Sequence, residues 1–244
     1  ISDVELPDPG PGELRLRVRA CGVCHTELDE IEGRTAPPQL PVVPGHEVVG
    51  VVDAVGPDVA LHKPGDRLGV GWIHDSCGEC GYCTNGLENL CKGFVATGRD
   101  VNGGYAEYIV VPEISAYPIP GVYEDAEAAP LLCAGGVGYR ALRLAGLSDG
   151  QALGFYGFGA SAHLVLQMAR YLYPSSYLAV MSRSEAKQDF AKKLGADWAG
   201  PPGSAPPVPL DAVIDTTPVW AAVVEGLELL APAGRLVINA IRKE

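Results

Sequence analysis

The protein has 244 residues, 47% of them hydrophobic and 20% charged, and its 18 basic and 30 acidic side chains give a formal net charge of −12. This length suits two domains with apolar cores, and so acidic a chain does not attract phosphate backbones, which excludes nucleic acid as an expected partner. No apolar run is long enough to span a membrane, and the first residues do not resemble a signal peptide, so we expect a cytoplasmic protein without a membrane partner.

The first half of the chain contains short apolar runs separated by glycine and proline. Apolar and charged residues alternate over residues 14–20, as in a half-buried strand, and further runs occupy 48–55, 67–70 and 106–111. These runs predict a mainly antiparallel β structure with long loops up to about residue 120.

The second half predicts alternating strands and helices, after helical stretches at 124–128 and 137–145. Strands are predicted at 151–156, 177–181, 210–214 and 235–240, and helices at 160–172, 184–194 and 219–230, with Ser182 and Glu185 spaced as a capping box. This alternation is typical of a parallel sheet covered by helices. We therefore predict a β-rich domain at residues 1–148 and a dinucleotide-binding domain at 149–244. A full sheet of that type has about six strands, so we expect the second domain to be incomplete at its C-terminus.

Four of the seven cysteines lie within one short loop. Cys77, Cys80, Cys83 and Cys91 have the spacing C-x2-C-x2-C-x7-C, and glycines between them let the backbone wrap around an ion. Four thiolates close a tetrahedron around Zn²⁺ and leave no open position, so the pattern predicts a structural zinc site. Buried free thiols or disulfides are the alternative without a metal, and an iron–sulfur cluster is the rival metal centre.

A second set of candidate ligands is scattered along the chain. It comprises Cys24 in the run C-G-V-C-H-T of residues 21–26, His46 in the run G-H-E of residues 45–47, and Cys133. One histidine and two cysteines give Zn²⁺ three protein ligands and leave the fourth position for water or substrate. The spacing alone does not bring these residues together, and a lone cysteine or histidine is more often a packed core residue.

Four motifs follow one another along essentially the whole chain: C-G-V-C-H-T at 21–26, G-H-E within 44–50, the four-cysteine loop, and L-L-C-A-G at 131–135. Together they resemble the zinc-dependent alcohol dehydrogenases of the medium-chain dehydrogenase/reductase superfamily. The resemblance implies a GroES-like, β-rich catalytic domain followed by a Rossmann-type, doubly wound parallel sheet. It also implies hydride transfer between a nicotinamide cofactor and an alcohol or aldehyde.

The resemblance assigns the metal ligands. In this family the catalytic zinc is held by the second cysteine of C-G-V-C-H-T, the histidine of G-H-E and the later cysteine, which correspond to Cys24, His46 and Cys133. The glutamate beside that histidine, Glu47, corresponds to a carboxylate that approaches the metal when water exchanges. Cys21 is then not a metal ligand. With the loop site, the resemblance implies two zinc ions per chain, one catalytic and one structural.

Three further residues take roles from the resemblance. Thr26 corresponds to the hydroxyl that bonds the substrate oxygen and starts a proton relay, and His25 to a position that contacts the cofactor phosphate. Trp72 resembles a bulky aromatic residue of the substrate pocket, and we expect Ile73 to shape the same pocket.

Three positions depart from the family pattern. The family often has H-T-D-L-H where residues 25–29 read H-T-E-L-D. The carboxylate that supports the metal ligands is therefore Glu27, which is one methylene longer. Asp29 stands where a histidine usually ends the proton relay, so a carboxylate or solvent would take that proton. Val137 stands where a threonine often touches the nicotinamide.

A glycine motif joins a predicted strand to a predicted helix. Residues 157–162 read G-F-G-A-S-A, which fits G-x-G-x-x-A with Gly157, Gly159 and Ala162 at the defined positions. In this context the amide groups that open the helix can bind a pyrophosphate. By itself, the same pattern also fits a tight strand–helix turn that binds no ligand.

The end of the next predicted strand carries a hydroxyl and cations. Ser182 occupies the place where an NAD site has an acidic residue, Arg183 follows it, and Lys187 lies one helical turn further on. A hydroxyl with cations suits a 2′-phosphate, which favours NADP over NAD. The alternative is a capped helix start with an arginine that faces solvent.

The sequence therefore predicts a zinc-dependent oxidoreductase that transfers a hydride between NADP(H) or NAD(H) and a primary alcohol or aldehyde. The zinc-free reductases of the same superfamily lack both metal constellations. The alternative from another class is a non-catalytic zinc- and nucleotide-binding module, or an inactive fragment. The predicted partners are a small-molecule substrate and further copies of the chain, in a homodimer or homotetramer.

Overall fold

The computed structural model describes residues 3–240 and 242–244. The chain forms two compact units, Ile1–Cys133 and Ala134–Glu244. The helix at Ala134–Ala145 belongs to the second unit, whereas the boundary predicted at residues 148 and 149 would leave it in the first; that boundary stays a prediction. Within the described ranges, every helix is too short or too polar to cross a bilayer.

The first unit is built around an antiparallel sheet of five strands. Its elements are β1 (Glu13–Cys21), α1 (His25–Ile31), β2 (Val48–Val55), β3 (Arg67–Val70), β4 (Ile73–Asp75), β5 (Val95–Ala96), β6 (Tyr108–Pro112), β7 (Ala116–Pro118) and α2 (Asp125–Ala128). The sheet has the order β6-β1-β2-β3-β7, and β4 pairs with β5 as a separate hairpin. Leu14, Leu16 and Leu68 are buried in its core, as the alternation of apolar and charged residues in β1 predicts.

Strand pairing in this sheet places three chain segments side by side. Cys21, the last residue of β1, is opposite Val48, the first residue of β2, and Val48 is in turn opposite Val70 at the end of β3. The chain therefore leaves β1, enters β2 and leaves β3 at the same end of these three strands. The residues that directly follow Cys21 and Val70, and those that directly precede Val48, lie together at this end.

The second unit is a parallel sheet with helices on both faces. Its elements are α3 (Ala134–Ala145), β8 (Ala152–Tyr156), α4 (Ala160–Leu172), β9 (Tyr177–Met181), α5 (Glu185–Lys193), β10 (Trp198–Gly200), β11 (Leu210–Asp215), α6 (Trp220–Glu228) and β12 (Leu230–Ile238). The strand order β10-β9-β8-β11-β12 is the 3-2-1-4-5 order of a dinucleotide-binding sheet. Leu153 and Phe155 pack under α3 and α4, and Tyr156 lies in a separate cluster with Ala222 of α6.

Most predicted elements occur where the sequence places them, and the fold class is confirmed. Two details are wrong. The last strand begins at Leu230 rather than Arg235, because the chain turns directly from α6 into β12. The N-cap of α5 is Ser184, whose hydroxyl accepts a hydrogen bond from the amide of Lys187 at 3.4 Å, so Ser182 does not form the predicted capping box.

Candidate metal centres and dinucleotide site

The four cysteines of the loop converge on one point. The sulfur atoms of Cys77, Cys80, Cys83 and Cys91 all lie within 4.8 Å of one another. Cys77 lies 3.5 Å from Cys91 and 3.9 Å from Cys83, and Cys80 lies 3.6 Å from Cys83. Sulfur atoms bound at about 2.3 Å to a tetrahedral zinc are about 3.8 Å apart. These separations fit four thiolates around one cation and are far too long for disulfide bonds.

Backbone amides support the thiolate form in this loop. The amides of Cys77 and Gly93 donate hydrogen bonds to the sulfur of Cys91 at 3.5 and 3.3 Å, and the Cys77 amide is the main cause that lowers the pKa of Cys91. An amide hydrogen bond from Cys83 likewise lowers the pKa of Cys80 to about 7. The donor set suits Zn²⁺, because a thiolate, not a thiol, is the metal ligand.

A second cluster forms at the end of the sheet where β1 ends and β2 begins. Ligand atoms of Cys24, His46, Glu47 and Cys133 all lie within 4.8 Å of one another. The sulfur atoms of Cys24 and Cys133 are 3.7 Å apart although 109 positions separate the two residues. Cys24 is the N-cap of α1, and the amide of Gly22 donates to the carbonyl of Glu47 at 3.0 Å, so the β1–β2 pairing continues up to the cluster.

Cys133 reaches the cluster because the chain before it packs closely on β3. A Cβ atom on Gly71, which follows β3, would lie 2.8 Å from the carbonyl oxygen of Leu132. Only glycine allows the two segments to approach this closely without a shift. The short 3-10 turn Ala129–Leu132 is thereby held against β3, and Cys133 follows it directly.

Glu27 connects two of the candidate ligands. One carboxylate oxygen lies 2.6 Å from Nδ1 of His46, and both side chains are 2% exposed. The other oxygen accepts a hydrogen bond from the amide of Cys24 at 2.7 Å. With Nδ1 of His46 facing Glu27, Nε2 is the ring nitrogen left for a cation. The methylene that Glu27 adds to the family's aspartate is thus accommodated, because the carboxylate still contacts the histidine.

The cluster is electrostatically strained without a cation. The Cys133 thiol, more than any other group, lowers the pKa of Cys24 to about 3, and the pKa of Cys133 rises in response. Burial and the charge of Cys24 raise the pKa of Glu47 to about 7. Burial opposes a charged His46, but Cys24 and Glu27 outweigh it and raise the pKa of His46 to about 9. The buried thiols and the carboxyl group of this cluster therefore cannot all be ionised at once without a cation, and a divalent cation would stabilise their ionised forms.

The two residues predicted for a proton relay, Thr26 and Asp29, have different surroundings. Thr26 is buried, with its hydroxyl oxygen 3.5 Å from the sulfur of Cys24. Asp29 is also buried, but its carboxylate is paired with the guanidinium of Arg34. The carboxylate that the sequence offers as a proton acceptor is therefore engaged in an ion pair, and its role in a relay stays a prediction.

The aromatic ring of Trp72 lies beside the cluster of Cys24, His46, Glu47 and Cys133. Its ring meets the ring of His46 edge-on, with 4.9 Å between centroids, and Arg99 stacks on it at 5.6 Å. Ile73 follows it in the chain and is half-buried. His25 is exposed at the first position of α1. The roles predicted for these residues toward substrate and cofactor stay predictions.

A cavity of about 740 Å³ lies at the carboxyl ends of β8 and β9. The predicted cofactor residues that line it are Gly157, Gly159, Ser182, Arg183 and Lys187. Ser184, which was not predicted, also lines it. Gly159 is the N-cap of α4 and has no side-chain cap, so the first amides of this 13-residue helix remain available to an anion. Ala162 does not line the cavity but is fully buried, which suits close packing of the helix on the sheet.

Comparison with known proteins agrees with this architecture. Residues 10–121 match the alcohol dehydrogenase GroES-like domain. The chain is 45% identical over 241 residues to a probable alcohol dehydrogenase, AdhA, of Mycobacterium tuberculosis. The match covers 97% of this chain and 69% of that protein. The chain is also 34% identical to a cinnamyl alcohol dehydrogenase of Sorghum bicolor, with a TM-score of 0.85 over 96% of this chain and 70% of the other. The chain belongs to the zinc-dependent alcohol dehydrogenases.

Two further members of the family are informative about ions and cofactors. An NADP-dependent alcohol dehydrogenase C of Mycobacterium bovis is 37% identical over 197 residues, which are 78% of this chain and 56% of that protein. A thermostable alcohol dehydrogenase of Pyrobaculum aerophilum, solved with cobalt and zinc bound, is 31% identical, with a TM-score of 0.87 over 96% of this chain and 70% of the other. The chain thus spans 56% to 70% of the length of these alcohol dehydrogenases.

In this alcohol dehydrogenase chain, Gly22 leaves the space that Glu47 occupies. A Cβ atom on Gly22 would lie 1.8 Å from a carboxylate oxygen of Glu47. We expect Gly22→Ala to push Glu47 out of the cluster and to lower turnover by about 10- to 100-fold, the usual cost of disturbing groups around a metal's ligands. Turnover and zinc content measured together would check this result.

Gly121→Ala is the matched control for this substitution, because a Cβ atom there meets nothing within 4 Å. It should leave both turnover and zinc content unchanged. Wild-type turnover in Gly22→Ala would show that the position of Glu47 does not matter.

Proposed function

We propose that this protein is an NADP-preferring, zinc-dependent oxidoreductase that interconverts a primary alcohol and its aldehyde by hydride transfer. The observation that carries the proposal is the convergence of Cys24, His46 and Cys133 with Glu47 within 4.8 Å, in a chain whose relatives are alcohol dehydrogenases. With Glu47 beside the ion rather than bound to it, the three other donors leave a cation an open position, unlike the closed four-cysteine set. The proposal therefore assigns one catalytic and one structural zinc to each chain.

The donor sets of the two clusters suit different tasks. Zinc held by Cys24, His46 and Cys133 would supply a Lewis acid, and NADP(H) would supply or accept the hydride. Glu27 holds His46 in the ring orientation that this task requires, and Glu47 supplies a second carboxylate at the cluster.

Other side chains near the catalytic cluster would bind and orient the substrate. The buried hydroxyl of Thr26, beside Cys24, is placed to hold the proton of an alcohol group. Trp72 and Ile73 would provide apolar surface for the carbon skeleton and exclude water. His25 would contact a phosphate of the cofactor. A small apolar alcohol or aldehyde is therefore the class of substrate that the residues favour.

The cofactor preference rests on the end of β9. Ser182, Arg183 and Lys187 line the cavity beside Gly157 and Gly159, and the residue directly after the strand is Ser182 rather than the acidic residue that bonds a ribose 2′-hydroxyl in NAD sites. Arg183 and Lys187 are both exposed, so their charges are available to a 2′-phosphate. The name of the NADP-dependent relative supports the same choice. A cytoplasmic location and a homodimer or homotetramer also stay predictions.

The test is a paired assay of the purified chain with NADPH and NADH against a panel of aldehydes, together with zinc quantitation. We expect two zinc ions per chain and aldehyde reduction that is faster with NADPH. One zinc ion per chain and no turnover with either cofactor would instead identify a non-catalytic zinc- and nucleotide-binding module.

Replacing Arg183 by alanine should weaken NADPH use selectively. Loss of one charged hydrogen-bonding partner costs about 1.5–3 kcal/mol, so we expect the KM for NADPH to rise by about 10- to 100-fold while that for NADH stays the same. Lys192→Ala is the control, because Lys192 is an exposed cation in the last turn of α5, the helix that follows Arg183. Equal losses with both cofactors would contradict a 2′-phosphate contact.

A further inference from the structure

The ring of Trp72 is in contact with three side chains. Its edge contact with His46, at 4.9 Å between centroids, is accompanied by a tilted contact with Phe94 at 6.3 Å. The guanidinium carbon of Arg99 lies over the ring, 5.6 Å from its centroid. A cation in this position is attracted by the negative face of the indole, which restricts the orientation of both groups. Of the three neighbours, Arg99 is the one that carries a permanent charge.

Arg99 is itself held by an ion pair with the next residue. Its Nε and Nη2 donate hydrogen bonds to the two carboxylate oxygens of Asp100, at 2.8 and 2.7 Å. A bidentate pair of this kind fixes the plane of the guanidinium as well as its position. The two side chains are 31% and 16% exposed, so the pair is partly withdrawn from water. Arg99 is also the main cause that lowers the pKa of Asp100, and the pair therefore stays ionised at neutral pH.

Asp100 is bonded in turn to the backbone that follows β5. One of its carboxylate oxygens accepts a hydrogen bond from the amide of Ala96 at 2.8 Å, and its own amide donates to the carbonyl of Ala96 at 3.0 Å. The same turn contacts the backbone of Trp72, whose carbonyl accepts a hydrogen bond from the amide of Thr97 at 3.0 Å. One short turn, residues 96–101, therefore contacts both the backbone and the ring of Trp72.

These contacts restrict a side chain that would otherwise be free to change its conformation. Trp72 is half-buried, and a tryptophan has two side-chain torsions that only its neighbours can hold in one rotamer. Its ring lies against a candidate ligand of the catalytic cation, so a rotation would change the space beside the cluster. Arg99 opposes such a rotation, because the ring would lose its stacked cation or the guanidinium would have to leave Asp100.

We propose that Arg99 is a positioning residue that sets the size of substrate accepted: it keeps the Trp72 ring against His46 and so fixes the surface beside the catalytic cluster. Asp100 holds the guanidinium in place for this task. The inference rests on the proposed function only in taking Trp72 to border the substrate. A fixed ring orients a short aldehyde or alcohol, whereas a mobile ring admits larger carbon skeletons and orients small ones poorly.

Two variants of the full chain test this role in substrate selection. For Arg99→Ala, the kcat/KM of a short aliphatic aldehyde relative to that of a bulky aromatic one should fall by about 3- to 10-fold, as expected from loss of one stacked cation. Two zinc ions per chain should remain, because Arg99 belongs to neither metal cluster. Asp100→Asn keeps an acceptor for the Ala96 amide but loses the charge, so it should cause a smaller fall in the same direction. The double variant should show no larger fall than Arg99→Ala alone.

Arg15→Ala is the matched control, because Arg15 makes the same kinds of contact in the same unit. Its guanidinium lies over the ring of Tyr108 at 5.8 Å and is paired with Asp53 at 2.7 Å. It is opposite Ala54, at the end of β2 that is remote from the catalytic cluster. It should leave the ratio of the two kcat/KM values unchanged. A wild-type ratio for Arg99→Ala, an equal fall for Arg15→Ala, or additive falls in the double variant would overturn the proposal.

Fluorescence separates this proposal from the proposed function. The chain has three tryptophans, so phenylalanine in place of Trp198 and Trp220 leaves Trp72 as the one reporter. Its anisotropy should decay with the tumbling of the whole protein, and Arg99→Ala in this background should add a faster component from ring motion. The measurement needs no substrate, so a faster component in a chain that reduces no aldehyde would contradict the proposed function and still support the positioning of the ring. Identical decays with and without Arg99 would overturn the proposal.

Discussion

Replacing Cys24 by serine is expected to lower turnover by about three orders of magnitude or more, because Lewis-acid stabilisation is worth several kcal/mol of the barrier and each 1.36 kcal/mol is tenfold in rate. Cys24 is one of only three non-carboxylate donors at the open cluster. A hydroxyl at this position is a far weaker ligand than a thiolate. Zinc content should fall from two ions per chain to one, since the four-cysteine loop does not involve Cys24.

Cys21→Ser is the matched control for this experiment. Cys21 belongs to the same C-G-V-C run, but its sulfur is outside the cluster, and burial raises its pKa to about 11, so it stays a thiol. It should retain two zinc ions and near-normal turnover. Near-normal turnover of Cys24→Ser with one zinc ion lost would show that the catalytic centre lies elsewhere.

Replacing Cys83 by serine is expected to unfold the first unit at a markedly lower temperature. Cys83 is buried and its sulfur contacts those of Cys77 and Cys80. A structural zinc site contributes about 10–16 kcal/mol of binding free energy in small domains. Loss of about 5 kcal/mol of this amount would lower Tm by about 10–20 °C in a chain of this size.

Calorimetry and zinc analysis together check this second prediction. Glu79→Gln is the control, because Glu79 is an exposed residue of the same loop. It should retain both zinc ions and the wild-type Tm. A Cys83→Ser variant that keeps its Tm after losing one zinc ion would show that the loop needs no metal to fold.

The parallel sheet was predictable because each of its elements is short, local and strongly patterned. The structure has β9 and α4 at the predicted residues. The predicted boundary of an element was wrong where apolar residues continue from that element into the next. Leu229 and Leu230 continue the apolar pattern of α6, so the sequence carries no sign that the chain turns there into β12.

The candidate ligands were predictable as types, but their supporting contacts were not. The motifs marked Cys24, His46 and Cys133, and the structure places them together, although their role as ligands stays a prediction. The close packing of Leu132 on Gly71 could not be found from spacing, because it joins segments about 60 residues apart in the chain. The buried state of Glu30 was also missed, since a glutamate on a short helix normally faces solvent.

The two clusters differ in how far apart their cysteines are in the chain, and this difference orders their assembly. Cys77 and Cys91 are 14 positions apart, whereas Cys24 and Cys133 are separated by 109. Closing a short loop is fast and local, but a distant pair can meet only after the intervening sheet has formed. If the loop binds zinc as proposed, it can therefore do so during synthesis, while the ribosome is still adding residues. The other cluster stays incomplete until Cys133 has left the exit tunnel.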